Sequence, residues 1–176
     1  MNVNYRNGRC MLWLLVLCLG LAACNGKPAK EPMTGVMLTG LDHLPDHLSV
    51  QHFTIDGTDG FQAGDGARVI CCARIPIDWH EGLTAKVTWS VNNWRDCKGE
   101  HHEAIVLVTR YDHNPGHVYV HFLADGSVRV VPTSKTYLEP DYPGPHDAIP
   151  EKYPWEVWPP MQHCPQDFSD PNKIYM

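Results

Sequence analysis

Apolar and polar residues alternate most strictly over residues 83–91. Leu83, Ala85, Val87, Trp89 and Val91 fall on one side, and Thr84, Lys86, Thr88 and Ser90 on the other. A period of two marks a strand with one face on a core and the other in water. Runs of the same kind, rich in β-branched residues, occupy 34–41, 48–55 and 67–75. The stretch 104–111 is apolar on both sides, which predicts a central strand. Residues 117–124 and 127–132 flank Asp125-Gly126, a two-residue hairpin signal. Asp56-Gly57 and Asp59-Gly60 end the second run, and the polar residues 92–103 read as a loop holding Trp94 and Cys97.

No stretch carries a sustained helical period. Short strands separated by turn residues predict an all-β fold, an antiparallel β-sandwich of six or seven strands, with a six-stranded barrel as the alternative. Val87, Trp89, Val106, Val108, Val118, Val120 and Phe122 are the expected core.

The two ends of the chain depart from this pattern. At the N-terminus, Arg6 and Arg9 precede a short apolar run from Met11 that ends in Leu21-Ala22-Ala23-Cys24. A basic head, an apolar middle and small residues before a cleavage point make an export signal. The run is too short for a membrane span, which needs about 20 apolar residues. A cysteine directly after the alanines makes the signal similar to that of bacterial lipoproteins. Cleavage before Cys24 is then expected, with acyl chains added to its sulfur and new amino group. Two or three such chains hold a protein stably on a bilayer. Asn25, rather than an aspartate, implies sorting to the outer membrane. Residues 1–23 are thus read as a lipoprotein signal peptide and 24–33 as a flexible tether. The β-sandwich is placed at 34–136.

Residues 137–176 include nine prolines, with Trp155, Trp158, Phe168 and four tyrosines among them. Proline this dense blocks both helix and central strand. This segment is read as an irregular tail packed on the domain. Its aromatic residues, with Trp94, are the candidate partner-binding groups, because rigid aromatic side chains anchor interfaces.

The net charge is −6, and the signal removes two arginines and no acid, so the mature chain is more acidic still. That excludes nucleic acid as a partner and docking on anionic lipid through protein charge. Of seven cysteines, Cys71, Cys72, Cys97 and Cys164 remain beside Cys24 in the exported chain. An even number in an oxidising compartment predicts one or two disulfides. Neighbours on a strand point to opposite faces. One of Cys71 and Cys72 is therefore expected to join Cys97, and the other to be buried or to join Cys164; a ring between the two neighbours is the strained alternative. No Cys-x-x-Cys pair suggests zinc.

Histidine is in surplus, with 11, all after the signal. His117, Tyr119 and His121 share one face of a strand, opposite Val118, Val120 and Phe122. Two imidazoles on one face could meet a metal, but no third ligand is fixed by spacing, and a solvated polar face is the favoured reading. No nucleophile elbow, zinc-protease helix, phosphate loop or dinucleotide fingerprint is present. No catalytic residue, metal or cofactor is therefore assigned, and the chain is read as non-enzymatic.

Several motifs in order carry a family resemblance. They are the lipobox, residues 34–43, Cys71-Cys72 followed by Ile75-Pro76 and Trp79, Gly82-Leu83-Thr84, Val87-Thr88-Trp89, and 120–123 before Asp125-Gly126. Over about residues 10–145 the chain resembles a family of small proteobacterial lipoproteins of unknown function. Members of that family are often encoded near type VI secretion phospholipase effectors, and some are regarded as immunity lipoproteins. The resemblance implies a periplasmic, membrane-anchored protein that binds and neutralises such a phospholipase. It implies two partners: the secreted enzyme, and the lipid bilayer through acylated Cys24. The alternatives are a structural or assembly lipoprotein of the envelope and a His-based metal-binding protein.

Overall fold

The structure is a computed structural model that describes residues 31–66, 68–150 and 164 of the 176-residue chain. The expected signal peptide at 1–23, Cys24, Trp155 and Trp158 lie outside the described residues. The chain divides into two units, Met1–Glu31 and Pro32–Met176, and the fold below is that of the second.

Eight strands are present among the described residues: β1 (Met33–Asp42), β2 (Leu48–Ile55), β3 (Thr58–Phe61), β4 (Ile70–Pro76), β5 (Thr84–Asn93), β6 (Lys98–Leu107), β7 (His117–Phe122) and β8 (Val128–Thr133). They form two four-stranded sheets, in the orders β4-β1-β7-β8 and β3-β2-β5-β6. The fold is a β-sandwich, as the alternation predicts. All strand pairs are antiparallel except β1 with β7.

The core lies between the sheets. Val36, Leu38, Val50, Phe53, Val87, Val118, Val120, Phe122 and Val130 are almost fully buried in it. Val108 joins them, whereas Trp89 and Val106 pack against the cluster from partly exposed positions. Phe53 fixes two glycines. A Cβ at Gly40 would stand 2.5 Å from its ring, and one at Gly60 would be closer still. Gly60 is therefore a packing residue inside β3 and not a turn, so this strand is absent from the sequence reading. The turn is Asp56-Gly57, both at positive φ, the conformation a tight two-residue hairpin requires.

Residues 98–103 are strand and not loop. β5 and β6 pair without a break from Thr84↔Leu107 to Asn93↔Lys98. β6 is an edge strand and not a central one. Its apolar second half leaves Ile105 66% and Leu107 69% exposed.

Cys71 and Cys72 are joined to each other, and Cys97 to Cys164. The expected link from one of the neighbours to Cys97 is thus replaced. Alternation fails because the β1–β4 register shifts at this point: Val36 faces Ala73 and Met37 faces Cys71. Cys72 is the extra residue of a bulge, where the rule of opposite faces does not hold.

Candidate functional site

Two regions gather the polar and aromatic residues that the sequence singles out. The first is the outer face of β7. His117, Tyr119 and His121 do share it, but only His117, at its end, keeps partial exposure to solvent. Residues 137–149 lie across it, and Tyr142 packs with Leu41, Tyr119 and Val131 in a second buried cluster flanked by Tyr137 and Ile149. Tyr142 meets Tyr119 edge-on, with ring centroids 5.5 Å apart. Tyr137 donates its hydroxyl proton to the carbonyl of Asp65. The favoured reading of solvated histidines is corrected for His121, which is 1% exposed, while His117 is half-buried. His43, beside His121, is 4% exposed.

These buried rings form a chain whose protons can be assigned. His43 Nδ1 lies 3.3 Å from the carbonyl of Ala148, which can only accept, so Nδ1 carries the proton. With that proton on Nδ1, His43 Nε2 is the acceptor side of the ring, and His121 Nδ1, 2.9 Å away, donates to it. His121 Nε2 in turn accepts from the Tyr142 hydroxyl at 2.7 Å. One carbonyl thus sets both tautomers. Burial, with the neighbouring His43 and His146, pushes His121 down to about 3, so it stays neutral. Burial also raises the Tyr142 hydroxyl, which remains a donor. His117 is pushed down by burial and lies 2.8 Å from Thr39 Oγ1. The His43–His121–Tyr142 chain consumes its own donors and acceptors, and among the described residues no three His, Cys, Asp or Glu side chains come together as a metal cage would require. Its work is to hold the covering segment to the sheet.

The second region is a seam between the two sheets. Just past the end of β6, Val108 makes an isolated bridge to Val130 of β8, supported by the bond from Thr109 N to the Val130 carbonyl. Towards the N-terminal ends of both strands they part. The opening is a cleft of about 350 Å³ walled by Leu44, Leu48, Trp89, Val91, Phe122, Leu123 and Val128. His47, Asn93, Glu100 and His102 stand among them.

Each wall has a local cause. β5 alternation turns Trp89 and Val91 inward. The Asp125 carboxylate accepts from Ser127 N at 2.8 Å and shapes the β7–β8 turn that presents Leu123. Buried Asp42 accepts from Leu44 N at 3.0 Å and Val50 N at 2.9 Å, which folds the β1–β2 loop so that Leu44 and Leu48 face the cleft. Trp94 lies beside this rim. Its backbone N donates to the His47 carbonyl and its indole N–H to Ser49 Oγ at 2.7 Å.

Asn93 is fixed, donating to the Asp96 carboxylate and accepting from the backbone N–H groups of Arg95 and Asp96, whereas the two histidines of the seam are held loosely. His102 stacks on Trp89 at 5.2 Å, and its Nε2 is 3.6 Å from Glu100, beyond hydrogen-bond reach. His47 is likewise 3.6 Å from Asp46. An apolar cleft with a few polar groups at its mouth is the common form of a binding site. Sequence reasoning misses it because its walls come from four separate segments. The only sequence signals are the inward parity of Trp89 and the Asp125-Gly126 turn.

A family model described as a protein of unknown function (DUF3304) matches residues 45–130. All the seam-lining residues except Leu44 fall within the matched stretch, whereas His43 and the covering segment lie outside it. No curated protein and no solved structure matches the chain.

Proposed function

We propose that this protein is a non-catalytic lipoprotein, anchored through acylated Cys24 on the periplasmic face of the envelope, at the outer membrane, that binds and neutralises a secreted phospholipase of the type VI secretion class. The observation that carries the reading is the seam, an apolar cleft open at the surface where the two sheets part. A partner's apolar side chain inserted there would bury Trp89, Leu123 and Val128 from water, at about 25 cal/mol per Å² of apolar area. Exposed Ile105 and Leu107 on the outer side of β6 extend the apolar surface of the same strand. The lipobox and the family resemblance supply the partner and the compartment. A phospholipase delivered into the periplasm works at the membrane, and a tethered inhibitor is concentrated where that enzyme acts.

The test is phospholipid hydrolysis in vesicles by any phospholipase effector encoded beside this gene. An equimolar amount of the oxidised protein should abolish fatty-acid release. Undiminished release at a large molar excess would remove the proposal. The anchor is tested separately: Cys24→Ser should move the protein from the membrane fraction to the soluble one, and retention in the membrane would refute lipidation.

A further inference from the structure

We propose that Cys71–Cys72 is a site of thiol–disulfide exchange, opened by a dithiol of the Cys-x-x-Cys oxidoreductase class while Cys97–Cys164 stays closed. The phospholipase reading plays no part in this.

The two disulfides differ in where they sit. Cys71 and Cys72 are both exposed, on β4, an outermost strand of the first sheet. Cys164 is 6% exposed, and Cys97 is half-buried. Exchange requires a thiolate to reach a sulfur, so access decides which bond is attacked first. The bulge removes Cys72 from the β1–β4 ladder and leaves it opposite neither Val36 nor Met37. Gly35 stands beside it: a Cβ there would be 3.5 Å from the Cys72 Cβ and 4.0 Å from its sulfur. Met37 faces Cys71 across the ladder, so the approach past the smaller β1 neighbour is to Cys72. Arg74, exposed on the same face two residues on, adds a positive charge that favours a departing thiolate.

The step balances as an ordinary exchange. One thiolate of the dithiol attacks a sulfur of the pair, and the Cys71–Cys72 bond breaks as a mixed disulfide forms. The released cysteine leaves as thiolate and takes a proton. The second thiolate of the dithiol then attacks the mixed disulfide and frees the other cysteine, which is protonated in turn. Two electrons pass to Cys71 and Cys72, now two thiols, and the dithiol ends as a disulfide.

The experiment uses purified full-length protein and dithiothreitol as the dithiol. Free thiols are first blocked with N-ethylmaleimide. Aliquots are then equilibrated with rising dithiothreitol, alkylated with iodoacetamide and read by peptide mass spectrometry. Cys71 and Cys72 should escape the first reagent and take the second at about tenfold lower dithiol than Cys97 and Cys164. Labelling of Cys71 or Cys72 by the first reagent would overturn the proposal. So would joint opening of both pairs, or opening of Cys97–Cys164 first. Near-ultraviolet circular dichroism at the dithiol concentration that opens only the first pair should keep its native signal. Loss of that signal would mean that the fold opens before the bond, and would also overturn the proposal.

Discussion

The covered face of β7 and the seam beside β6 are built from the same residue types, histidines and aromatic rings over β-branched strands, yet they do opposite things with them. On the covered face each ring nitrogen of His43 and His121 has a partner within 3.3 Å, and the chain of donors ends on a backbone carbonyl. In the seam the nearest charged partner of His102 or His47 among the described residues is 3.6 Å away. Polar groups that satisfy one another fasten a segment in place, and histidines left loosely paired at the mouth of an apolar cleft are free to meet something else. Histidine surplus alone does not separate these uses; the partners do.

The largest expected effect is on the covered face. Tyr142→Ala removes a buried ring and the first donor of the chain, and should cost about 3–5 kcal/mol in denaturant unfolding. A cost near zero would mean that residues 137–149 do not brace the sheet. Acid should act next. His121 sits at about 3 in the folded protein against 6.5 unfolded. Between those values the unfolded chain holds a proton that the folded one lacks. Stability is therefore whole above pH 6.5 and falls as pH drops towards 3, by up to about 1.4 kcal/mol per pH unit for this group. His117, also pushed down, adds in the same direction. Urea midpoints that stay level from pH 7 to pH 5 would break this account of the face.

A smaller cost, about 1–3 kcal/mol, is expected for Tyr142→Phe, which keeps the ring and leaves His121 Nε2 buried without its donor. The same measurement should give an unchanged m-value, since the surface exposed on unfolding is the same. The seam side should move least. Ile105→Ser, at an exposed edge position, is expected to stay within about 0.5 kcal/mol of the parent. A loss comparable to that of Tyr142→Ala would mean that β6 is a structural strand with no surface to spare.

Much of the sandwich is legible in the chain, for physical reasons that vary by element. β2, β5 and β7 announce themselves because one side of each must face the core, and parity records it. β6 is only half visible. Its first residues are polar because the outer side meets water and the inner side meets an open cleft, so neither is forced to be apolar. β3 is hidden because Gly60, which reads as a turn, is small to admit the Phe53 ring. The shared face of His117, Tyr119 and His121 is legible, but what lies on it is not: Tyr142 reaches them through tertiary packing that no local period encodes. Cys71 and Cys72 mislead because a bulge suspends the alternation on which the pairing argument rests. The seam itself has no motif, since its walls converge from four stretches of chain.

The proposal that the protein acts by contact through this cleft is tested most directly by calorimetric titration of any phospholipase effector encoded beside its gene with the oxidised protein and with its Leu123→Glu variant. Leu123 lines the seam from the β7–β8 turn, where a carboxylate can reach water without unfolding the core. Saturable binding by the parent, weakened about tenfold or more by the variant, is the expected result, a loss of about 1.4 kcal/mol. Absence of binding, or equal affinity for parent and variant, would contradict it.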